Sequence, residues 1–103
     1  MTTLRHLVLL RFKAKANAES IATIERAFVA LQGQIGGVRD IEWGTDVSPE
    51  GLAKGYTHAF VLSFGDAAAR DAYLPHPAHQ GFVAQLKPLL DDVLGIDYFA
   101  ADS

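Results

Sequence analysis

The side chains best suited to acid/base chemistry lie in and just before the motif His76-Pro77-Ala78-His79. Proline favours the first position of a helix, so Pro77 places His79 in the first helical turn, where the helix dipole disfavours the imidazolium ion. A neutral imidazole is what a general base needs near neutral pH. Tyr73 can donate a hydrogen bond to an oxygen that gains negative charge. Together these side chains suit proton abstraction next to a carbonyl group, followed by cyclisation or isomerisation.

A lone acid near the end of the chain is the expected partner of this histidine. Asp97 stands in the otherwise apolar segment LGIDYFA, residues 94–100, which is typical of a β-strand. An acid in such a strand is costly to bury unless a polar group meets it. We therefore expect a hydrogen bond between Asp97 and one ring nitrogen of His79. The other ring nitrogen and the hydroxyl of Tyr73 are then expected to face a common cavity.

The same residues also have a purely structural interpretation. His76 and His79 can cap a helix and hydrogen-bond across the core, with Asp97 as a buried partner, while Tyr73 is an ordinary aromatic residue at a helix end. A metal site built from His58, His76 and His79 is disfavoured, because only one pair is spaced three residues apart and no glutamate accompanies it. Neither a metal nor a cofactor is expected, and the sequence has no Gly-rich phosphate loop.

Hydrophobic patterns predict the element order β-α-β-β-α-α-β around these residues. The first helix is clearest, because Ile21, Ile24, Phe28 and Leu31 are spaced by three and four residues. The predicted strands cover residues 4–12, 38–47, 56–64 and 94–100, and the predicted helices cover residues 17–32, 66–74 and 77–90. Pro88 is expected to kink the last helix or to loosen its final turn.

Elements in this order predict an α+β fold of the ferredoxin-like type, a four-stranded antiparallel sheet with its helices on one face. A single helical layer leaves the other face of the sheet open to water, including Leu7, Leu9, Ala59 and Val61. Burying such apolar surface contributes about 25 cal/mol per Å², so an open face favours self-association. We expect a homodimer in which two sheets pack face to face as a dimeric α/β barrel.

Composition limits the class of protein. The 103 residues predict a single domain, residues 1–103, with enough apolar residues for a core. The absence of cysteine excludes disulfides and zinc–thiolate sites. A net charge of -3 without a basic run argues against nucleic-acid binding. The apolar run Leu7–Leu10 is too short for a signal sequence or a membrane span, so we expect a cytoplasmic protein without membrane contact.

The motifs resemble those of a known family, the stress-responsive A/B barrel (Dabb) domain within the dimeric α/β-barrel superfamily. The most specific feature is the pair GYTH at residues 55–58 and HPAH at residues 76–79, separated by about 20 residues. Further matching segments are His6-Leu7-Val8, Glu42-Trp43-Gly44 with Asp46, and Asp97-Tyr98. The resemblance covers nearly the whole chain and implies the same ferredoxin-like dimer.

The resemblance also implies a site. In a plant polyketide cyclase of this family, the histidine that closes HPAH is the base, with a tyrosine shortly before the motif and an aspartate in the last strand. Matching the motifs residue by residue implies the catalytic residues His79, Tyr73 and Asp97. His6 and His58 match further polar residues near that cleft, whereas the helix lining differs from the cyclase and offers Ile24 and Phe28. We expect these four residues and Phe60 to line a cleft for a small apolar carbonyl compound.

Alternatives to this site remain open in the sequence. His6 and His58 share the helix-facing side of strands that run in opposite directions, so they should lie toward opposite ends of the sheet. Each is therefore also a candidate for a core histidine whose hydrogen bonds are made within the protein. A cofactor-free cyclase or isomerase is one expected function, and a non-catalytic ligand-binding or stress-associated dimer is the other.

Overall fold

In the computed structural model, which describes residues 3–101, three helices cover one face of a four-stranded antiparallel sheet. The strands are β1 (Leu4–Phe12), β2 (Val38–Thr45), β3 (His58–Phe64) and β4 (Leu90–Phe99), and the helices are α1 (Ala18–Gln34), α2 (Ala67–Tyr73) and α3 (Pro77–Leu86). The strand order is β2-β3-β1-β4, with every neighbouring pair antiparallel. The predicted α+β, ferredoxin-like fold class is confirmed.

Each helix begins at a residue whose side chain caps it. Asn17 accepts a hydrogen bond from the amide of Ser20 and starts α1, and Asp66 accepts from the amide of Ala69 and starts α2. Asparagine and aspartate are favoured caps because they satisfy amides that have no partner within the first turn. These caps explain why α1 and α2 begin next to the residues that the sequence indicated.

The predicted boundary between the last helix and the last strand is wrong. α3 ends at Leu86, a short 3₁₀ turn covers Lys87–Leu89, and β4 already begins at Leu90. Lys87 keeps helical backbone angles, but Pro88 has no amide hydrogen to donate to the preceding turn, so the α-helical hydrogen bonding ends before this position. The longer β4 pairs with β1 along almost its whole length.

The core fills the space between the helices and the sheet. Its fully buried members include Leu10, Phe60, Leu62 and Phe64 from the sheet, and Phe28 of α1 is 2% exposed. Phe28 stacks on Phe60 with a distance of 4.1 Å between ring centroids. Alternate residues of β1 and β3 enter this core, as expected for strands with one face toward a helical layer.

The strand register separates the two histidines of the sheet. His6 of β1 lies opposite Leu62 of β3, whereas His58 of β3 lies opposite Leu10 of β1. His6 and the position opposite His58 are therefore four residues apart along β1. The prediction that these histidines lie toward opposite ends of the sheet is confirmed.

The other face of the sheet is apolar and turned away from the helices. Leu7, Leu9, Ala59 and Val61 are only partly buried there. On the neighbouring strand β4, the same face carries Leu94, Ile96 and Tyr98, which are 43%, 51% and 44% exposed. We call the face formed by these seven residues the open sheet face. None of the helices in residues 3–101 is long and apolar enough to cross a membrane.

Candidate functional site

A cavity of about 350 Å³ lies between the sheet and α3. Much of its wall is apolar and comes from Val8, Phe28, Phe82, Val83 and Leu86. The polar and charged residues on the wall are His6, Tyr73, His79 and Lys87. A space of this size and composition, with a few convergent polar groups, is typical of a small-molecule site.

His79 reaches this cavity from the start of α3. His76 caps the helix by accepting a hydrogen bond from the amide of Ala78, and Pro77 occupies the first helical position. His79 therefore lies in the first turn, as the sequence predicted. Its Nδ1 atom is 2.8 Å from the carbonyl oxygen of Leu74. A carbonyl oxygen only accepts, so Nδ1 carries a proton and Nε2 of the neutral ring is the proton acceptor.

Tyr73 stands beside His79, with 4.4 Å between the ring centroids. The residue is 1% exposed, and burial raises the pKa of its hydroxyl. That hydroxyl has no hydrogen-bond partner within residues 3–101. By contrast, every polar side-chain atom that is fully buried in this part of the chain has a partner. The hydroxyl oxygen therefore keeps some accessible surface, and Tyr73 is one of the residues that line the cavity.

The predicted hydrogen bond between Asp97 and His79 is wrong. Asp97 Oδ1 lies 2.6 Å from Nδ1 of His6, and Asp97 Oδ2 lies 2.6 Å from a terminal guanidinium nitrogen of Arg70. The pairing of β1 with β4 places Asp97 directly opposite His6. His79 points its Nδ1 to the α2–α3 corner instead, where the carbonyl of Leu74 occupies it.

Asp97 fixes the proton of His6. Partial burial raises the pKa of Asp97, but the hydrogen bonds from His6 and Arg70 outweigh it, and the net shift is downward. An ionised carboxylate only accepts, so Nδ1 of His6 donates to it. Nε2 of His6 has no partner within residues 3–101 and keeps some accessible surface, and His6 is one of the residues that line the cavity. The ring of His6 lies edge-on to that of Tyr73, at 6.0 Å.

Arg70 is the member of this cluster that the sequence interpretation missed. It lies in α2, and its Nε atom also contacts Asp71 at 2.8 Å. One signal was available: Arg70 precedes Tyr73 by three residues, which places both side chains on neighbouring positions of one helix face. That spacing does not tell which strand the guanidinium reaches.

His58 was predicted to lie near the ligand, but it belongs to a separate network. It is 6% exposed, with Nε2 2.7 Å from Glu25 Oε2 and Nδ1 2.8 Å from Thr57 Oγ1. The rings of Trp43 and Phe12 pack against it at 6.0 and 5.1 Å. Both ring nitrogens are therefore occupied, and the residue does not line the cavity that holds His79.

The three apolar residues predicted for the cleft divide in the same way. Phe28 lies on the cavity wall. Ile24 and Phe60 are 2% and 0% exposed and lie behind that wall in the core. In residues 3–101, no group of three or more histidine, cysteine, aspartate or glutamate side chains is arranged to hold a metal ion.

The amino-acid sequence matches one protein family over nearly the whole chain. Residues 4–100 match the family model described as Stress responsive A/B Barrel Domain. The chain is 37% identical over 94 residues to the stress-response A/B barrel domain-containing protein HS1 of Arabidopsis thaliana, covering 91% of this chain and 86% of that protein. It is 30% identical over 94 residues to olivetolic acid cyclase of Cannabis sativa, covering 91% of this chain and 93% of that protein.

Solved structures share the fold over nearly the full length. Hydroxynitrile lyase from Passiflora edulis matches with a TM-score of 0.91 and 25% identity, covering 98% of this chain and 95% of that one. A dimeric ferredoxin-like protein of unknown function from Thermobifida fusca matches with a TM-score of 0.81 and 25% identity, covering 96% of this chain and 92% of that one.

Proposed function

This chain belongs to the stress-responsive A/B barrel family, and from that premise we propose that it is a cofactor-free acid/base catalyst acting on a small apolar carbonyl compound. The observation that carries the proposal is the pairing of His79 and Tyr73 on one cavity wall, 4.4 Å apart by ring centroids. One offers a bare Nε2 and the other a hydroxyl without a partner in the described chain. These are the two groups that formation of an enolate requires.

In the proposed reaction, Tyr73 donates a hydrogen bond to the carbonyl oxygen of the substrate. Nε2 of His79 removes a proton from the adjacent carbon, and the electron pair of that C–H bond moves toward the oxygen. The hydroxyl of Tyr73 stabilises the resulting enolate, and the Leu74 carbonyl, 2.8 Å from Nδ1, stabilises the imidazolium. The enolate then attacks a second carbonyl, which closes a ring, or takes the proton back at another carbon, which isomerises the compound.

The apolar wall supports this chemistry. Val8, Phe28, Phe82 and Leu86 line the cavity and make much of its wall apolar. A hydrogen bond from a tyrosine is stronger in such surroundings than in water. Two of the relatives are named as a cyclase and a hydroxynitrile lyase, which makes an enzymatic role for a cavity in this fold reasonable.

The experiment that tests the proposal measures deuterium exchange. Small alkyl and aryl ketones are incubated with the protein in deuterated water, and NMR follows loss of the proton next to the carbonyl. Gly95 lines the cavity, and a Cβ atom added there meets nothing within 4 Å, so Gly95→Ile should fill the cavity while keeping the strand. We expect exchange with the wild type and with Gly95→Ala, and loss of exchange with Gly95→Ile.

A non-catalytic ligand-binding role is the second candidate. It is favoured by the strongly apolar wall and by the relative HS1, which is named for a stress response. The same experiment separates the two functions. Ligand binding without exchange, blocked by Gly95→Ile, would favour the binding protein over the enzyme. If no ketone binds and no exchange occurs, both proposals are wrong.

We also propose that the protein acts as a homodimer that buries the open sheet face, and the cytoplasmic location stays a prediction. The support is the apolar character of that face, where Leu94, Ile96 and Tyr98 remain 43–51% exposed in one chain. Exposed apolar patches of this kind mark association surfaces. A structural relative from Thermobifida fusca is described as dimeric.

Val61→Asp tests the dimer, because it places an unpaired charge in the middle of the open sheet face. Light scattering should show a dimer for the wild type at micromolar concentration and a monomer for the variant. Val29→Asp is the matched control, since Val29 lies on α1 and is already 39% exposed. A monomeric wild type, or a dimer that survives Val61→Asp, would show that the chain does not associate through this face.

A further inference from the structure

We propose that Lys87 binds an anionic group of the ligand, so that the compound held in the cavity carries a carboxylate at the end remote from its reacting carbonyl. The substrate class inferred is a linear keto acid with an apolar chain between the two groups. The identity of the reacting end rests on the proposed function. Recognition of the carboxylate does not depend on catalysis, because it can be measured by binding alone.

One row of α3 side chains follows the length of the cavity. His79, Val83 and Lys87 are spaced by four residues, and all three line the cavity. Residues four apart lie on the same face of a helix. Lys87 still has helical backbone angles, with φ of -49° and ψ of -46°. An advance of about 1.5 Å per residue therefore places Lys87 about 12 Å from His79 along the helix axis.

The sheet side of the cavity has the same two ends. On β4, which pairs with β1, the residues on the wall are Gly95, Val93 and Leu90, in order of increasing separation from His6. The 3₁₀ turn that begins with Lys87 leads directly into Leu90. Lys87 therefore lies at the end of the cavity that is remote from His6, and the proposed acid/base pair lies at the other end.

No carboxylate of the cavity wall competes for this lysine. Among the described residues that line the cavity, Lys87 is the only lysine or arginine, and none is acidic. Its ammonium group makes no ion pair within residues 3–101. The acids that follow it in sequence, Asp91 and Asp92, contact Arg11 at 2.7 and 3.5 Å. Arg11 lies on the same side of β1 as Leu9, so this contact is on the open sheet face.

A ligand that matches these features has three parts. Its carbonyl group meets Tyr73 and His79, its alkyl chain contacts the apolar wall, and its carboxylate meets Lys87. The separation of about 12 Å along α3 selects an extended compound over a compact one. An ammonium group is a point charge with three hydrogen-bond donors, which suits a carboxylate. Lys87 is exposed at the cavity mouth, so water screens the pair and the expected gain in affinity is modest.

The test compares linear methyl-ketone acids, beginning with levulinic acid and lengthening by one methylene at a time, with their methyl esters. The acid and the ester of each pair share the carbonyl and the chain but differ in charge. Isothermal titration calorimetry should find a chain length at which the wild type binds the acid about three- to tenfold more tightly than the ester. Lys87→Gln should abolish this preference, and Lys87→Arg should keep it.

Two controls separate this role from a structural one. A lysine at the end of a helix also interacts favourably with the helix dipole, but that interaction does not depend on the charge of a ligand. Lys15→Gln removes the same charge from an exposed lysine that does not line the cavity, and it should leave the preference unchanged. A preference for the acid that survives Lys87→Gln, or acid binding that survives the cavity-filling Gly95→Ile, would overturn the assignment of Lys87.

Deuterium exchange of the preferred acid gives a second readout. The loss in Lys87→Gln should appear in KM rather than in kcat, because Lys87 is remote from the reacting atoms. His79→Ala should lose exchange but keep the preference for the acid. Equal binding of acid and ester by the wild type would overturn the role of Lys87 and leave the proposed reaction standing. The preference without exchange would support Lys87 and overturn the reaction, and if neither compound binds, both proposals are wrong.

Discussion

Two histidine clusters lie between the helices and the sheet, toward opposite ends of β1, and they differ in how many polar atoms are satisfied. In the closed cluster, His58 bonds to Glu25 and Thr57 with its two ring nitrogens. In the open cluster, His6 and His79 line the cavity, and each uses Nδ1 for a bond within the protein while its Nε2 has no partner in residues 3–101. The hydroxyl of Tyr73 is left in the same way.

This difference separates stability from function. Where a buried polar group makes all its hydrogen bonds within the protein, removing one partner destabilises the fold, because the other partner stays buried and unpaired. Where a polar group has a free atom beside a cavity, deleting that group costs the protein little stability. A ligand bound in the cavity would lose a hydrogen-bonding partner. Residue type does not make this distinction, since both clusters contain histidine and a carboxylate.

The largest expected effect is the loss of activity on deleting His79. His79→Ala should reduce ketone exchange about 10²–10⁴-fold, the usual contribution of a general base. Folding should persist, because the lost side chain bonds only to the Leu74 carbonyl. NMR exchange rates and thermal melting check both statements. The control is His76→Asn, which removes an imidazole from the same motif but keeps a good helix cap. Equal activity of His79→Ala and wild type would remove His79 from the mechanism.

Deleting a member of the closed cluster should lower the stability of the protein rather than its activity. His58→Ala should lower the free energy of unfolding by about 2–4 kcal/mol, because it leaves Glu25 unpaired and opens a void beside Phe12 and Trp43. Urea denaturation measures this cost. Exchange activity per folded molecule should remain near the wild-type value. If His58→Ala instead abolishes exchange at unchanged stability, the assignment of the two clusters is reversed.

Tyr73→Phe sharpens the comparison within the open cluster. The hydroxyl makes no hydrogen bond within residues 3–101, so its removal breaks no bond within the protein and should leave the free energy of unfolding nearly unchanged. Exchange should fall about 10²-fold, because the developing oxyanion loses its donor. Burial raises the pKa of Tyr73, so the hydroxyl should remain a donor above pH 10 and activity should not decline there by its ionisation. A stability loss as large as that of His58→Ala would instead show that the Tyr73 hydroxyl has a structural role, like the residues of the closed cluster.

The smallest effect concerns Asp97 in acid. Its pKa is lowered in the folded protein, so the stability that its ionised form contributes is present above the ordinary carboxyl range, near pH 4, and is lost as the pH falls through the lower folded value. The wild type should therefore be more stable than Asp97→Asn by a constant amount above about pH 4. That advantage should shrink at lower pH. Thermal melting between pH 7 and pH 2 measures it, and an advantage that persists to pH 2 would contradict the ionised role of Asp97.

Local patterns in the sequence were sufficient to predict the helices, the strands and the buried face of the sheet. Helical spacing from Ile21 to Leu31 located α1, the caps Asn17 and Asp66 located two helix starts, and alternation in β1 and β3 indicated their buried face. Each of these signals depends on residues within a few positions of one another. The motif match in turn named two residues, Tyr73 and His79, that do line the cavity.

Only the tertiary structure decided which polar groups meet. Asp97 and His6 are 91 residues apart, and they pair because the register of β1 against β4 places them opposite each other. A shift of one residue would have turned Asp97 to the other face of the sheet. His79 does not bond to Asp97 for a local reason. The tight α2–α3 corner brings the Leu74 carbonyl oxygen to 2.8 Å from Nδ1 of its ring. Hydrogen bonds require contact at about 3 Å, and only the packed chain sets distances that finely.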